Sequence, residues 1–400
     1  MKSKVPFILR FIIDTSVFLI MLYLSAVLAS FSVDRLLKWQ YSNQQTELSA
    51  EALNPEYLAE GVRNAKKEGY SPVFYPAGIT YHRSLRKLVK DADFLPLGSQ
   101  PHRNVYICDE GSGLIRDKLD RMGYRNEDSL WNNADKIEVI IIGDSIVAGE
   151  CVDREYTISA KLTNNGLNTA ALASGGNRPS SYASIQKAFI PKVQPKIVVT
   201  VFHPNDRSGN YGDIFYNHYS KAKSVDDYLI KEGSSLRLNK KSSAFFANMQ
   251  KNISAETEQN NLTRDKYKEL FLTFINSRHW SLDGFLPLLK QYVPNTGLID
   301  PGSKYAVDTA VSLCKDYGCT PIFVYVPYPP VWITNIAAST YYSNLKNYLK
   351  NENQHFVDTK NLLWDPDFNR YATHGMHPSE IGYSIIGDAI SKKILEQKTK

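Results

Sequence analysis

The chain has 400 residues, with 47 basic against 41 acidic side chains, and its net charge of +6 is not gathered into any long basic block. A surface that tracks a phosphate backbone needs clustered positive charge, so nucleic acid is not the expected partner. Hydrophobic residues make up 43% of the chain, ample for a packed core, and 400 residues suit one α/β core with insertions.

Residues 11–33 are nearly all apolar and long enough to cross a bilayer as one helix. Lys2, Lys4 and Arg10 precede them, against Arg35 and Lys38 after, which leans slightly toward a cytoplasmic N-terminus. Val27-Leu28-Ala29 before Ser30 also suits signal cleavage, but the apolar stretch is long for a signal sequence. Residues 1–34 are therefore expected to be a single-pass membrane anchor, or else a signal, with the globular part outside the cytoplasm. Residues 35–135 read as a stalk and an irregular lead-in, punctuated by Pro72, Pro76, Gly78, Pro96, Gly98 and Pro101. Short strands and turns are expected at 106–115 and 123–126.

From Lys136 a β, α, β, α rhythm begins, and residues 136–400 are expected to form one domain. Residues 137–142 are a continuous apolar, β-branched run, the pattern of a buried parallel strand, and it stops at Gly143-Asp144-Ser145. A helix at 158–162 leads to a second strand at 169–172, ending in Ser174-Gly175-Gly176-Asn177-Arg178. A helix at 181–190 precedes a third strand at 196–202, ending in His203-Pro204-Asn205-Asp206. Residues 207–300 interrupt the rhythm as a polar, Tyr- and Lys-rich insertion, with helices expected at 265–276 and 282–292. Tyr211, Tyr216, Tyr219 and Trp280 within it are candidates for stacking on sugar rings or for packing. Helix 305–317, strand 321–326, helix 339–351, strand 354–358 and a helix from Glu380 complete a doubly wound parallel sheet.

An exported chain can hold disulfides. Cys314 and Cys319 suit a local bridge, which leaves Cys108 and Cys151; all three connectivities, and four free thiols, stay open. The spacing is unlike that of a zinc site.

The strand-end turns carry polar residues in an order that suits acyl transfer. Ser145 is a candidate nucleophile, and its N–H, the N–H of Gly175 and the amide of Asn205 are candidate donors to an oxyanion. His377 is the candidate base. Gly143-Asp144-Ser145, Gly175, Asn205-Asp206 and His377-Pro378 together resemble the SGNH (GDSL) hydrolase superfamily over about residues 137–206 and 305–392. The resemblance implies a three-layer α/β/α sandwich with a flavodoxin-like sheet, Ser145 as nucleophile, Gly175 and Asn205 as oxyanion donors, and His377 as base. The family usually places an aspartate three residues before the histidine, and here that place is His374. Asp365 or Asp367, a backbone carbonyl, or a Ser–His dyad are the alternatives. His203 and Arg178 are further candidates for lining the site, and Arg207 flanks it. His374-x-x-His377 lacks a third ligand at sensible spacing, so no metal and no cofactor are expected.

With the expected location, the resemblance implies an exported serine esterase acting on O-acyl groups, in particular O-acetyl groups, of a glycan. The alternatives are an O-acetyltransferase of the same fold, or a non-catalytic glycan-binding or assembly protein that lost the acid.

Overall fold

The computed structural model describes residues 15–18, 20, 21, 25, 55–76, 95–208, 218, 219, 225, 227–240, 244–246, 298–329, 336–365, 369–373 and 375–398. Two compact units divide the chain, Met1–Glu51 and Ala52–Lys400. In the first, the described residues are helical, and Val17, Phe18, Ile20 and Met21 are exposed. Among the described residues no helix is long and apolar enough to cross a membrane, and most of the 11–33 stretch lies outside them.

The second unit opens with helix α1 (Pro55–Lys67) and a small sheet of β1 (Ser71–Pro72), β2 (Asn104–Tyr106) and β3 (Arg116–Lys118). The main strands follow: β4 (Val139–Gly143), β5 (Thr169–Ala173) and β6 (Ile197–Phe202), then a separate hairpin β7 (Leu229–Glu232) and β8 (Ser235–Leu238), then β9 (Thr320–Tyr325) and β10 (His355–Asp358). Five of them pair in parallel in the order β5-β4-β6-β9-β10. Counted along the chain this is the flavodoxin-like order 2-1-3-4-5, whose switch point, the usual ligand crevice, lies between β4 and β6.

Helices cover both faces, which is why β4 needs no polar alternation. Ile140 and Ile142 pack into one core with residues of α4 (Pro179–Val193) and α5 (Pro301–Tyr317). Val139 and Ile141 pack into the other, with α2 (Ser145–Ala148), α3 (Ile158–Asn164) and α7 (Glu380–Lys398). Helix α6 (Ile336–Asn351) adds Tyr341, Leu345 and Leu349 to the first core. Helix boundaries follow local chemistry. Asp300 caps α5 by accepting from the Ser303 N–H at 3.1 Å, and Gly318 ends it in the left-handed conformation.

The stretch before β4 is part of the core. Leu95, Leu97, Met122, Tyr124 and Trp131 are buried in the first cluster, and the Tyr124 and Trp131 rings lie 5.9 and 6.0 Å from Phe189 of α4. Asp120, fully buried, accepts from the N–H groups of Met122 (2.8 Å) and Tyr124 (2.9 Å), from Asn126 Nδ2 (2.9 Å) and from Trp131 Nε1 (2.7 Å). Burial pushes its carboxyl up to about 6 against those four bonds. Asn126 in turn pairs with the outer edge of β5: its Oδ1 accepts from Ala171 N at 2.8 Å and its Nδ2 donates to Ala171 O at 2.9 Å.

Where it is described, the insertion holds the β7–β8 hairpin, and residues 218, 219 and 244–246 are helical. The β7–β8 hairpin docks on the 3-10 segment Asp128–Lys136, Ala134 N donating to Ser234 O at 2.8 Å. The expected helices at 265–276 and 282–292 lie outside the described residues, as do Tyr211, Tyr216 and Trp280. Tyr219 is a packing residue and not a sugar platform: it is buried, and its hydroxyl accepts from Leu95 N at 3.0 Å and donates to Leu95 O.

Asn126→Ala strips the Ala171 N–H and C=O of their buried partners together with one bond to Asp120. The expected cost is about 2–4 kcal/mol of unfolding free energy, measured by urea denaturation; a change under about 0.5 kcal/mol, the ordinary surface value, would contradict the role given to Asn126.

Candidate active site

The carboxyl ends of β4, β5 and β6 bring three of the sequence-expected residues to one crevice. Ser145 opens α2 directly after β4, with Asp144 as N-cap accepting from Ile146 N at 3.0 Å. Asn205 lies in the 3-10 turn Pro204–Ser208 after β6, and its Nδ2 donates to Asp144 Oδ2 at 2.9 Å. Asn177, in the loop carrying Gly175, donates to Gly143 O at 3.4 Å. The three loops are thus cross-tied around Ser145, which is 8% exposed.

Arg125 fastens the turn from behind. Its Nη1 donates to Ala148 O at 3.1 Å and to Gly149 O, and its Nη2 to Val152 O at 3.1 Å. Asp117 holds the guanidinium at Nε, 2.7 Å away, and also pairs with Arg154. Burial pushes the Asp117 carboxyl up, but the two arginines outweigh it and hold it below its ordinary value.

His377 stands on the loop before α7. Ala372 N donates to His377 O at 2.8 Å, and Tyr371 OH donates to Pro327 O at 3.0 Å, tying that loop to the exit of β9. His377 lies against the chain that follows the Ser145 turn, with its Nδ1 3.5 Å from Cys151 Sγ and its Nε2 3.9 Å from Glu150 Oε2. Its Nδ1–H donates to Glu110 Oε1 at 2.7 Å, and its backbone N–H donates to Glu110 Oε2 at 3.1 Å. A carboxylate can only accept, so the Nδ1 proton is fixed and Nε2, buried with no hydrogen-bond partner among the described residues, is left as the basic nitrogen.

Glu110 and His377 shift each other. Burial opposes both charges. Even so, the hydrogen bond and charge of His377 hold the Glu110 carboxyl below its ordinary value, and Glu110, aided by Glu150 and Asp144, holds the imidazole above its own. The close approach also explains Gly375: a Cβ there would overlap the Glu110 carboxylate.

The acid expected near His377 in sequence is therefore found 267 residues away, in the lead-in. Asp365 does not take that place; its Oδ2 lies 3.8 Å from Arg370 Nε. His374 and Asp367 lie outside the described residues. Both disulfides form, Cys108–Cys151 and Cys314–Cys319, and no free cysteine remains. Glu110, Cys151 and His377 present ligand-type atoms within 4.8 Å of one another, but the Cys151 sulfur is committed to its disulfide. The sequence signal for Glu110 was that cysteine pair, because Cys108–Cys151 draws the 108–110 turn to the end of the Ser145 turn.

Glu150 is a second acid that motif spacing does not single out. It is buried, burial pushes it up to about 6, and Tyr75 donates a hydrogen bond to it. Gly175 lies against both: a Cβ there would overlap Glu150 Oε1 and the Tyr75 ring, so only glycine leaves this candidate oxyanion loop in place. His203 is buried with its ring edge-on to Tyr328, centroids 4.7 Å apart, and burial pushes it down to about 4, so it is neutral at pH 7. Arg178 and Arg207 are half-buried on the loops after β5 and β6.

No family model matches this chain, and no curated protein does. Solved structures similar to it include a GDSL-like lipase from Bacteroides thetaiotaomicron VPI-5482, at 13% identity over 66% of this chain and 90% of that one, TM-score 0.36. A family 3 carbohydrate esterase from Clostridium thermocellum is similar at 14% identity over 65% and 96%, TM-score 0.34. A catalytic mutant of an acetylxylan esterase from Geobacillus stearothermophilus is similar at 15% identity over 64% and 93%, TM-score 0.32.

If Nε2 is the working base, it must be unprotonated, so activity falls as pH drops through the raised His377 value. In Glu110→Gln the opposing charge is gone and burial dominates: the acid limb of the pH–rate profile moves to lower pH, and the plateau drops by about 10²–10⁴-fold. His374→Ala and Asp365→Asn stay near the parental rate, since Nδ1 already has its partner. An unmoved limb in Glu110→Gln would remove Glu110 from the site.

Proposed function

We propose that the chain is a serine esterase that cleaves O-acyl groups, in particular O-acetyl groups, from a glycan through an acyl-enzyme. The observation that carries this reading is the 2.7 Å contact of Glu110 with His377 Nδ1, beside the turn that bears Ser145. A serine hydroxyl is a weak nucleophile until a base adjoins it, and that base needs a partner for the charge it acquires. In the proposed reaction Ser145 Oγ attacks the ester carbonyl and its proton passes to His377 Nε2. Glu110 stabilises the imidazolium, and the N–H groups of Ser145 and Gly175 with the Asn205 amide receive the oxyanion. Collapse breaks the bond to the alcohol oxygen, which takes the Nε2 proton as it leaves. Water then adds to the acyl-serine, giving its proton to Nε2; collapse returns that proton to Ser145 Oγ and releases the acid. A sugar hydroxyl in place of water would turn the same steps into acyl transfer.

Glu110 at His377 Nδ1 supplies a carboxylate where the sequence has none three residues before His377, which supports the catalytic reading over a non-catalytic one. The glycan and acetyl assignments are supported by the family resemblance of the sequence and by the expected export. Localisation is part of the proposal: residues 11–33 anchor the chain by a single span, with the globular part outside the cytoplasm.

A fluorophosphonate is expected to label Ser145 in the folded protein, and purified residues 52–400 are expected to hydrolyse small acetyl esters, with both lost in Ser145→Ala. Hydrolysis at the parental rate by Ser145→Ala would refute the nucleophile assignment.

In cells expressing the full chain, protease added outside the inner membrane is expected to digest the part after residue 34. Complete protection of that part would overturn the topology.

A further inference from the structure

We propose that the Cys108–Cys151 disulfide, assisted by Ser112, positions Glu110 against His377, so that both cysteines are positioning residues for the reaction; this rests on the esterase reading above. Glu110 is carried on a protruding turn. Backbone bonds close its base, Ile107 N to Ile115 O at 2.9 Å and Ile115 N to Cys108 O at 3.0 Å. Inside that base the turn is held locally by Asp109 Oδ1, which accepts from Gly111 N at 2.9 Å and Gly113 N at 3.2 Å. Gly111 and Gly113 both take positive φ, 109° and 94°. Two glycines close behind the acid leave the turn many conformations, and a carboxylate on such a turn is not aimed by its own backbone.

Two links beyond the turn aim it, and both end on the same residue. The disulfide joins Cys108 to Cys151, and Ser112 Oγ donates to Cys151 O at 3.0 Å. One link lies on each side of Glu110. Cys151 itself is well anchored. It follows Glu150, whose N–H donates to Ser145 O at 3.0 Å, and it precedes Val152, whose carbonyl accepts from Arg125. Its backbone is left-handed at φ 65°, a conformation that a side chain with a Cβ adopts only where its surroundings compel it, and such positions gather at functional sites.

The sulfur also has a place in the site. Cys151 Sγ lies 3.5 Å from His377 Nδ1, against the nitrogen that donates to Glu110. It walls that bond from water, and a hydrogen bond to a charged group is stronger where water is kept out. The other disulfide, Cys314–Cys319, spans the end of α5 and supplies an internal control.

The test compares Cys108→Ala/Cys151→Ala, Cys314→Ala/Cys319→Ala, Glu110→Gln, and the first pair combined with Glu110→Gln, on a small acetyl ester, with folding followed by circular dichroism. Removing Cys108–Cys151 is expected to lower kcat by about 10–100-fold with KM little changed, as for a catalytic group displaced by about 1 Å. In the Glu110→Gln background the same removal should change kcat by less than about twofold, because positioning and acid act as one unit. Phosphine reduction of the Cys314→Ala/Cys319→Ala protein, in which Cys108–Cys151 is the remaining bridge, should reproduce the loss. Parental kcat in a folded protein without the bridge would overturn the proposal. So would a loss that adds in full to that of Glu110→Gln, or collapse of the fold by both routes, since either assigns the bridge to stability alone. Parental activity in Glu110→Gln would instead sink the catalytic reading on which the proposal rests.

Discussion

A carboxylate and an imidazole meet at 2.7 Å in a crevice closed to most water, and the surrounding chain is arranged to keep them there. Desolvating either group alone costs several kcal/mol, so the contact persists only because charge, the Nδ1 bond and the His377 backbone N–H offset that cost together. The linkage has a definite sign. Glu110 titrates below its ordinary 4.5, so its share of stability is present above that value and fades as pH falls through the lowered one. His377 titrates above its ordinary 6.5, so its share is full below that value and fades as pH rises through the raised one. The pair therefore steadies the fold most between about pH 4.5 and 6.5.

That contact makes the segment before β4 an integral part of the site. Arg125, held by Asp117, reaches from it to the carbonyls behind Ser145, Asn126, held by Asp120, reaches to the β5 edge, and Glu110 reaches to the loop before α7. A five-stranded parallel sheet supplies the strand ends on which Ser145, Gly175 and Asn205 stand. The order of the strands places two of those ends at the switch point, but nothing in that sheet supplies a charge partner for His377 Nδ1. The lead-in does.

Strands and helices were legible because their determinants are local. Residues 137–142 announce a strand buried on both faces, and β4 occupies Val139–Gly143. Helix α4 begins two residues before the expected 181 because Pro179 suits a first helical turn. Ser145, Gly175 and Asn205 were legible for the same reason, each standing in the turn that ends an apolar run. Glu110 was not, because what joins it to His377 is a contact 267 residues distant, from a stretch whose glycines and prolines hide any period. Leu95, Leu97, Met122 and Trp131 were hidden likewise: single apolar residues among turns show no face until the fold gathers them. Tyr219 was open between stacking and packing in a polar insertion, and its burial and its hydroxyl contacts with Leu95 show it to be interior.

Asn126 has a consequence outside stability and catalysis. A parallel sheet ends in two edge strands, and the outer edge of β5 presents backbone groups that another chain's strand could pair with. At Ala171 both of those groups are already engaged by one side-chain amide, which imitates a single residue of a neighbouring strand. An incoming strand would have to break that two-point pairing and displace the segment held by Asp120 behind it. The same asparagine that joins the lead-in to the sheet therefore guards that edge of the sheet against self-association.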